Sequence, residues 1–369
     1  MTRALALLSG GLDSTLAIKV MLEQGIEVIA LHFTTPFCQC DHHKEGCKSE
    51  SQAVAEKFNI PIKVINQTEE FLKIVQHPKH GYGSQMNPCI DCRILMLQTA
   101  ARYLKESGAS FIITGEVLGQ RPMSQHYRAL TLIERESGLK GLILRPLSAH
   151  LLEPTIPEKE GLVDRAKLLA FSGRSRKPQM ALAELFEIKD YPCPAGGCLL
   201  TDPSFAVRLK DLLKHGAELT INEALLLKVG RHFRLDEKTR LIVGRNEPDN
   251  KIIDSLARSS DILIDLTACP GPLALLRGDN REQHLRLAVQ ITARYADQPT
   301  PMSIGTQAGA SAQAGIKAKR SPKGINSVPI TIGDGEVEAI IRTKENIMER
   351  LKVVPLAPAD ISAYLTGRR

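Results

Sequence analysis

The first hydrophobic segment of the chain is a short run, Ala4 to Leu8, and the polar loop "SGGLDS" follows it directly. After this loop, apolar residues recur at the spacing of one helical face, and Gly25 stands where such a helix would end. The pattern predicts a strand, a tight loop and a helix in succession.

The same alternation continues over the next hundred residues. The segments "EVIALHF" (27–33), "IKVI" (62–65) and "FIITG" (111–115) have the composition of buried strands, and the intervening segments have helical spacing. Alternating strands and helices predict an α/β fold with a doubly wound parallel sheet. Ligands of such sheets bind at the carboxyl ends of the strands.

The pattern changes in the second half of the chain. Residues from about Pro154 to Ala224 have mainly helical spacing, and short strand-like runs separated by Pro, Gly and Asn follow. Residues 297–326 are rich in Gly, Ala, Ser and Pro, which predicts a flexible loop. We expect three parts: a parallel-sheet domain over 1–150, a helical extension over 151–224, and a smaller α+β domain over 225–369.

Composition narrows the class of protein. With 369 residues, 43% of them hydrophobic, the chain can bury a core and is long enough for two or three domains. No apolar run approaches the roughly 20 residues of a membrane span. Eight cysteines are too few for a secreted disulfide scaffold of this length. We therefore expect a cytoplasmic protein whose clustered thiols bind metal or do chemistry.

The positive charge is local. The chain carries a net charge of +7, and Lys228–Arg369 holds 22 Lys and Arg residues against 16 Asp and Glu. Such an excess fits either a polyanion such as RNA or a solvated basic surface. Six Tyr, nine Phe and no Trp argue against extensive stacking of bases on aromatic side chains.

The loop "SGGLDS" has the composition of a phosphate-binding loop. Gly10 and Gly11 let backbone N–H groups turn toward an anion at a helix N-terminus, and the Ser9 and Ser14 hydroxyls add donors. Asp13 would repel a phosphate, so we expect it to help hold Mg²⁺ or to orient the loop. The loop is neither a Walker loop, which needs Gly-Lys-Ser/Thr, nor a dinucleotide fingerprint, which needs Gly-x-Gly-x-x-Gly.

In this context the loop resembles that of the PP-loop ATP pyrophosphatases, which cleave ATP to AMP and pyrophosphate. A plain glycine-rich turn is the alternative. The resemblance implies an adenine nucleotide alpha hydrolase-like fold that binds ATP with Mg²⁺. The nucleotide-binding residues that we expect are Ser9, Gly10, Gly11, Leu12, Asp13, Ser14, His32, Thr114 and Gly115.

The segment "TGEVLGQRPMSQHYR" follows the fourth predicted strand. Its Thr114-Gly115 pair resembles the pair that contacts the nucleotide in thiouridylases. The next polar residues either position phosphate, metal or a target base, or belong to a solvated loop. These residues are Glu116, Gln120, Arg121 and Ser124.

Two thiols stand three residues apart in "MNPCIDCRIL". Asn87-Pro88 ahead of Cys92 resembles the Asn-Pro-x-x-x-Cys segment of bacterial tRNA 2-thiouridine synthases, in which that cysteine is catalytic. Cys89 and Cys92 together also resemble the Cys-x-x-Cys pair of iron–sulfur-dependent tRNA thiolases. In those enzymes a distant third cysteine completes the ligands of a [4Fe–4S] cluster.

The distant cysteine has two candidates in "YPCPAGGCLLTD". Cys193 precedes a proline, as that ligand often does, whereas Gly197-Cys198-Leu199 is similar to the surroundings of the second catalytic cysteine of 2-thiouridine synthases. Structural zinc is the alternative for the whole set, because four thiolates fit zinc equally well. The set comprises Cys89, Cys92, Cys193 and Cys198.

A further group of potential ligands lies in "FCQCDHHKEGC", just after the second strand. It predicts either a zinc or redox loop over the nucleotide, or an exposed loop with adventitious metal affinity. The group consists of Cys38, Cys40, His42, His43 and Cys47. The eighth cysteine, Cys269, is expected only to pack.

The C-terminal part resembles another family. "LIVGRNEPDN" and "ILIDLTACPGPLALLRG" are similar to the RNA-binding NFACT-R domain of ribosome-quality-control proteins. Asp265 and Leu266 stand where that family often has His-Ala. The resemblance implies phosphate contacts, with a plain basic surface as the alternative. The expected RNA-binding residues are Arg231, Arg234, Arg240 and Arg245.

Together these resemblances imply an ATP-dependent tRNA sulfurtransferase. ATP would adenylate a uridine carbonyl oxygen, and sulfur would displace AMP, with Cys92, Cys198 and Asp13 as catalytic residues. Sulfur would come from a cysteine desulfurase or sulfide, through a cysteine persulfide or an iron–sulfur cluster. Both routes need thiolates of low pKa, and we expect Arg93 to help to lower the pKa of the adjacent Cys92. The alternatives are a PP-loop enzyme acting on a small molecule with structural zinc, and an RNA-binding adaptor with a regulatory nucleotide site.

Overall fold

The computed structural model describes residues 2–38, 46–188, 197–267, 271–296, 336–344 and 346–366, with side chains from Glu50 onward in the second range. Cys40, Cys47, Cys193, Cys269 and the predicted loop at 297–326 lie outside the described side chains. The chain divides into two compact units, 1–227 and 228–369. The predicted division near residue 150 stays a prediction.

Among the described residues of the first unit, one five-stranded parallel sheet forms, in the order β3-β2-β1-β4-β5. The predicted α/β fold is therefore confirmed. A fifth strand of two residues was not predicted, because two residues are too few to show a period. The strands are β1 (Arg3–Leu7), β2 (Glu27–Thr34), β3 (Ile62–Asn66), β4 (Phe111–Thr114) and β5 (Ile143–Leu144).

Helices cover both faces of this sheet. Alternate residues of β1 point to opposite faces, so Ala4 and Ala6 join one buried cluster and Leu5 and Leu7 join another. The helices are α1 (Leu12–Leu22), α2 (Gly46–Lys57), α3 (Thr68–Gln76), α4 (Cys89–Ser107), α5 (Tyr127–Ser137), α6 (Ile156–Lys159), α7 (Lys177–Leu185), α8 (Pro203–Lys214) and α9 (Ile221–Leu226).

A third buried cluster lies beside the sheet and involves α3, α8 and α9. Phe37 is its centre, because its ring makes edge contacts with the rings of Phe71 and Phe205 at 5.8 Å each. The side chains of Cys92 and Cys198 pack against the same cluster. This apolar cluster therefore brings two predicted site cysteines together from distant parts of the sequence.

The described part of the second unit contains a six-stranded antiparallel sheet in the order β11-β10-β8-β9-β7-β6. The predicted smaller α+β domain is confirmed. Its strands are β6 (Arg231–Arg234), β7 (Arg240–Val243), β8 (Ile262–Leu266), β9 (Ala274–Arg277), β10 (Val337–Arg342) and β11 (Ile347–Val353). Its helices are α10 (Glu247–Leu256), α11 (Arg281–Arg294) and α12 (Pro358–Ile361).

Within the described ranges, no helix is both long enough and apolar enough to cross a membrane.

Candidate active site

The loop "SGGLDS" connects the carboxyl end of β1 to α1 and is held by its own hydroxyl groups. Ser14 Oγ donates to the Gly11 carbonyl at 2.9 Å and accepts from the Ser9 backbone N–H at 3.3 Å. Gly11 is the N-cap of α1, and no side chain caps this helix. The first-turn N–H groups therefore keep the free donors and the positive helix end that an anion needs.

Two glycines of the site lie too close to neighbouring backbone for a larger residue. Gly10 has a φ of +80°, and a Cβ there would lie 2.9 Å from Glu50 Cβ and 3.1 Å from the Ser51 backbone nitrogen, both in α2. A Cβ on Gly115, at the end of β4, would lie 2.4 Å from the Ser14 backbone nitrogen. The loop is thus enclosed by backbone on two sides.

One oxygen of the Asp13 carboxylate, Oδ2, has polar partners. Gln120 Nε2 donates to Asp13 Oδ2 at 3.0 Å, and Arg176 Nη2 lies 3.9 Å from the same oxygen. Asp13 Oδ1 is buried and has no hydrogen-bond partner in the described part of the chain. A buried carboxylate oxygen with no partner is a suitable ligand for a hard cation, so Asp13 fits the expected Mg²⁺.

His32, near the end of β2, presents a hydrogen-bond acceptor to the same space. Its Nδ1 lies 2.9 Å from the Leu8 carbonyl oxygen, which can only accept, so Nδ1 carries the proton. Nε2 is buried and has no partner among the described residues. Burial lowers the pKa of His32, and the bond to Leu8 offsets this only in part. The ring is therefore neutral at pH 7, with a free acceptor nitrogen.

The loop and the thiols face one cavity of about 310 Å³. This volume is at the lower end of the range for small-molecule sites. Gly10 is the one predicted nucleotide-binding residue that does not line the cavity; it supports the loop from behind. The predicted residues that line it are Ser9, Gly11, Leu12, Asp13, Ser14, His32, Cys89, Cys92, Thr114, Gly115, Gln120, Arg121, Ser124 and Cys198.

The thiols reach the cavity from three segments. Cys89 begins α4 and accepts a hydrogen bond from Asn87 Nδ2 at 3.2 Å, and Cys92 follows one turn later. Cys198 forms an isolated antiparallel bridge with Cys38, which follows β2. All four are free cysteines, and Cys38 also lines the cavity.

The low thiol pKa expected for Cys92 is not found. Burial raises the pKa of Cys92 to about 12, and Arg93 opposes this only weakly. Burial likewise raises the pKa of Cys198. A charged neighbour in the sequence does not offset the loss of solvent around a thiol packed in an apolar cluster. Both thiols are therefore protonated at pH 7 in this state.

The predicted metal set is only partly described. No three His, Cys, Asp or Glu side chains within the described ranges are arranged to hold one metal ion. Cys193 lies outside these ranges, so the choice between Cys193 and Cys198 as third ligand stays open. The described thiols do not by themselves fit a cluster or a zinc ion.

Glu116 has a partner that the sequence did not reveal. Its Oε2 accepts from Arg145 Nε at 3.0 Å and from Thr114 Oγ1 at 3.2 Å, and its Oε1 lies 3.4 Å from Arg93 Nε. Burial acts to raise the pKa of Glu116, but Arg145 and Arg93 outweigh it and hold the pKa below its usual value. Glu116 thus positions Arg93 beside Cys92 and does not line the cavity. Arg145 was missed because nothing in its local sequence marks a partner 29 residues away.

Residues 1–169 match the family model described as thiamine biosynthesis protein (ThiI). Residues 230–322 match the model described as NFACT protein RNA binding domain. Residues 1–169 of the first unit are thus similar to the ThiI family. The predicted PP-loop and NFACT-R resemblances are both confirmed.

Curated relatives are similar to part of this chain. A probable tRNA sulfurtransferase of Thermococcus kodakarensis is 30% identical over 187 residues, which cover 48% of this chain and 43% of the relative. A tRNA-specific 2-thiouridylase MnmA 2 of Clostridium botulinum is 29% identical over 159 residues, which cover 40% of this chain and 43% of the relative. The chain thus spans less than half the length of these relatives.

Among solved structures, a 4-thiouridine synthetase in complex with RNA and bound ATP matches at 22% identity and a TM-score of 0.34. The match covers 58% of this chain and 50% of that chain.

The arginines predicted for the NFACT-type domain differ in accessibility. Arg240 is 8% exposed, within β7, and so is poorly placed for a phosphate. Arg245 is exposed, but its guanidinium holds Asp249 through Nε–Oδ2 at 2.6 Å and Nη2–Oδ1 at 3.2 Å. Arg231 stacks its guanidinium over the Tyr295 ring at 4.5 Å and remains half-buried, as does Arg234. Arg231 and Arg234, both on β6, are thus more accessible than Arg240, whereas the exposed Arg245 is engaged with Asp249.

Proposed function

We propose that this chain is an ATP-dependent tRNA sulfurtransferase, which adenylates a uridine carbonyl oxygen and replaces that oxygen with sulfur. The observation that carries the proposal is the shared cavity, in which the "SGGLDS" loop and the thiols of Cys89, Cys92 and Cys198 face the same space. Activation of oxygen and delivery of sulfur require such proximity, because the adenylated base must meet sulfur before water does.

The loop accounts for the first half of the reaction. The uridine oxygen attacks the α-phosphorus of ATP, the bond to the β-phosphate breaks, and pyrophosphate leaves toward the free N–H groups at the start of α1. His32 Nε2 can accept a hydrogen bond from the adenosine, because the adenine amino group and the ribose hydroxyls are both donors. When bound, Mg²⁺ would neutralise phosphate charge, and Asp13 Oδ1 is the atom that would hold it.

The thiols account for the second half. A persulfide on Cys92 or Cys198 supplies the sulfur atom. A second cysteine attacks its inner sulfur and forms a disulfide, the outer sulfur bonds to the base carbon, and AMP departs with the former carbonyl oxygen. A cysteine desulfurase would supply the sulfane sulfur of that persulfide, whereas sulfide, which is already fully reduced, would attack the adenylated carbon directly. We derive no step through a [4Fe–4S] cluster, because the described thiols do not bring three ligands to one metal position.

Burial of the thiols opposes the ionisation that this step requires. A thiol must ionise before it attacks, and burial raises the pKa of Cys92 and of Cys198. Arg93 and Arg121 are the nearby cations that act to lower the pKa of Cys92. We infer that these arginines stabilise the thiolate when the sulfur donor or the RNA binds.

The NFACT-type domain would supply RNA affinity, with Arg231 and Arg234 of β6 as phosphate-binding residues. Its match to an RNA-binding family model and the local positive charge support tRNA as the partner.

The test is an ATP-dependent thiolation assay. Purified chain is incubated with tRNA, labelled ATP and radiolabelled sulfide or a desulfurase with labelled cysteine, and the RNA is separated on an organomercury gel, which retards thiolated RNA. We expect labelled, retarded tRNA and one AMP per sulfur, both lost in Asp13→Asn with either donor and in Cys198→Ser with the desulfurase. AMP release that is independent of tRNA would instead indicate a small-molecule substrate, and RNA binding without AMP release would indicate an adaptor. Either outcome would contradict the proposal.

A further inference from the structure

Among the described cysteines, Cys38 is the one whose backbone pairs with that of Cys198. The two residues are direct partners in an antiparallel bridge, although they are 160 positions apart in the sequence. The Leu199 backbone N–H donates to the Phe37 carbonyl at 2.8 Å. Because this hydrogen bond joins the residue after Cys198 to the residue before Cys38, the two cysteines form a non-hydrogen-bonded pair.

The geometry of such pairs suits a disulfide. In a non-hydrogen-bonded antiparallel pair the two Cα atoms are about 4.5 Å apart and the side chains lie on the same face. Disulfides span Cα separations of about 4.4 to 6.8 Å. The two sulfur atoms can therefore join without movement of the backbone.

Buried neighbours fix both strands of the bridge. Phe37 is fully buried between Phe71 and Phe205, and Leu200, two residues after Cys198, is also fully buried. The Leu200 carbonyl accepts from the Met86 backbone N–H at 3.1 Å. Both thiols nevertheless line the cavity that contains the nucleotide loop. The pair is thus held rigidly and is accessible from the site.

Cys92 has a different relationship to Cys198. It lies on α4 and meets Cys198 only through side-chain packing on the shared apolar cluster. Its own sequence neighbour in the site is Cys89, one turn away on the same helix. A pairing of Cys92 with Cys198, or of Cys89 with Cys92, is the rival arrangement.

We propose that Cys38 resolves a persulfide carried by Cys198 and leaves a Cys38–Cys198 disulfide. This inference rests on the proposed sulfurtransferase function. The Cys38 thiolate attacks Cys198 Sγ, the bond between Sγ and the outer sulfur breaks, and hydrosulfide leaves toward the activated base. The outer sulfur takes up two electrons, which the two cysteine sulfurs lose on forming their bond. An external dithiol then reduces the disulfide for the next turnover.

The experiment needs neither tRNA nor ATP. Reduced full-length chain is mixed anaerobically with one equivalent of sodium tetrasulfide, whose sulfane sulfur loads the thiol. Released hydrosulfide is trapped with bromobimane, and disulfides are located by peptide mass spectrometry after alkylation. We expect one hydrosulfide per chain above the amount that tetrasulfide alone gives, and a Cys38–Cys198 disulfide. Cys38→Ser should retain an extra sulfur atom on Cys198 and reduce the hydrosulfide yield at least tenfold.

Two results would overturn the proposal: a Cys92–Cys198 or Cys89–Cys92 disulfide as the main product in wild type, or an unchanged hydrosulfide yield in Cys38→Ser with loss in Cys92→Ser. Circular dichroism of each variant checks that it is folded. Because tRNA is absent, a Cys38–Cys198 disulfide with hydrosulfide release supports the pairing even if the thiolation assay fails. The two proposals can therefore fail separately.

Discussion

Gly115→Ala is the sharpest test of how the nucleotide loop is positioned. The added Cβ would lie 2.4 Å from Ser14 N and 2.6 Å from both Asp13 C and Ser14 Cα. These are backbone atoms, so no side-chain rotation relieves the contact. Restoring an ordinary separation of 3.4 Å requires the end of β4 and the start of α1 to move apart by about 1 Å.

The expected cost follows from that displacement. Overpacking of this kind destabilises a protein by about 1 to 3 kcal/mol. A misplacement of about 1 Å at a reacting site can lower the rate about 10²-fold. We therefore expect Gly115→Ala to weaken ATP binding and to reduce AMP formation by about two orders of magnitude. Calorimetric titration with ATP and the tRNA-dependent AMP assay measure these effects.

Gly138→Ala is the matched control. Gly138 caps α5 with a φ of +73°, and a Cβ there would meet nothing within 4 Å. The change costs about 1 to 2 kcal/mol of backbone strain but leaves the loop in place. Urea unfolding should thus show comparable losses of stability in the two variants, with ATP binding impaired only in Gly115→Ala. Native ATP affinity in a folded Gly115→Ala would refute the reasoning.

Three further predictions concern buried charge, pH and RNA. Glu116→Gln removes one of the two carboxylates that pair with the buried Arg145 and leaves Glu134 as the other. It should lower the free energy of unfolding by about 1.5 to 3 kcal/mol, whereas Glu27→Gln, at the exposed pair with Arg3, should change it by less than about 1 kcal/mol. Equal urea midpoints for the two variants would contradict this. Because burial lowers the pKa of His32 from 6.5, the folded chain binds fewer protons than the unfolded chain below that pH. The contribution of His32 to the free energy of unfolding is therefore complete above about pH 6.5 and falls as the pH drops. In urea titrations, His32→Gln should lose less stability between about pH 7.5 and 5.5 than the wild type does. Arg231→Ala with Arg234→Ala should weaken tRNA binding and reduce the slope of log affinity against log salt by about one unit per lost phosphate contact. Arg240→Ala, at a buried position, should instead lower stability and leave that slope unchanged, and fluorescence anisotropy at several salt concentrations distinguishes the two cases.

Much of the first unit could be predicted because its signals are local. The apolar run of β1, the glycines of the loop and the helical spacing of α1 lie within 25 consecutive residues, and the structure has these elements where the pattern predicts them. The strands β7, β8 and β9 were likewise visible as short apolar runs. β6, β10 and β11 were not identified, since charged residues interrupt their hydrophobic pattern.

The sequence predicted most of the polar residues and thiols that line the cavity, but it did not predict which of them pair with each other. The sequence pointed to Cys92 and Cys198 through their flanking motifs, and both line the cavity. It could not pair Cys38 with Cys198, because a register between segments 160 residues apart depends on the packing of Phe37 and Leu200. It also overestimated the effect of Arg93 on the Cys92 thiol, because burial depends on tertiary contacts that local charge does not reveal.

The contact of Phe37 with Phe71 and Phe205 has a consequence for how this region opens. The three rings connect the segment before Cys38 to α3 and to α8, which follows Cys198 closely. Loss of this contact would release both bridge strands in one local unfolding event. The alkylation rates of the Cys38 and Cys198 thiols should then rise together at sub-denaturing urea, and Phe37→Leu should shift both rises to a lower urea concentration.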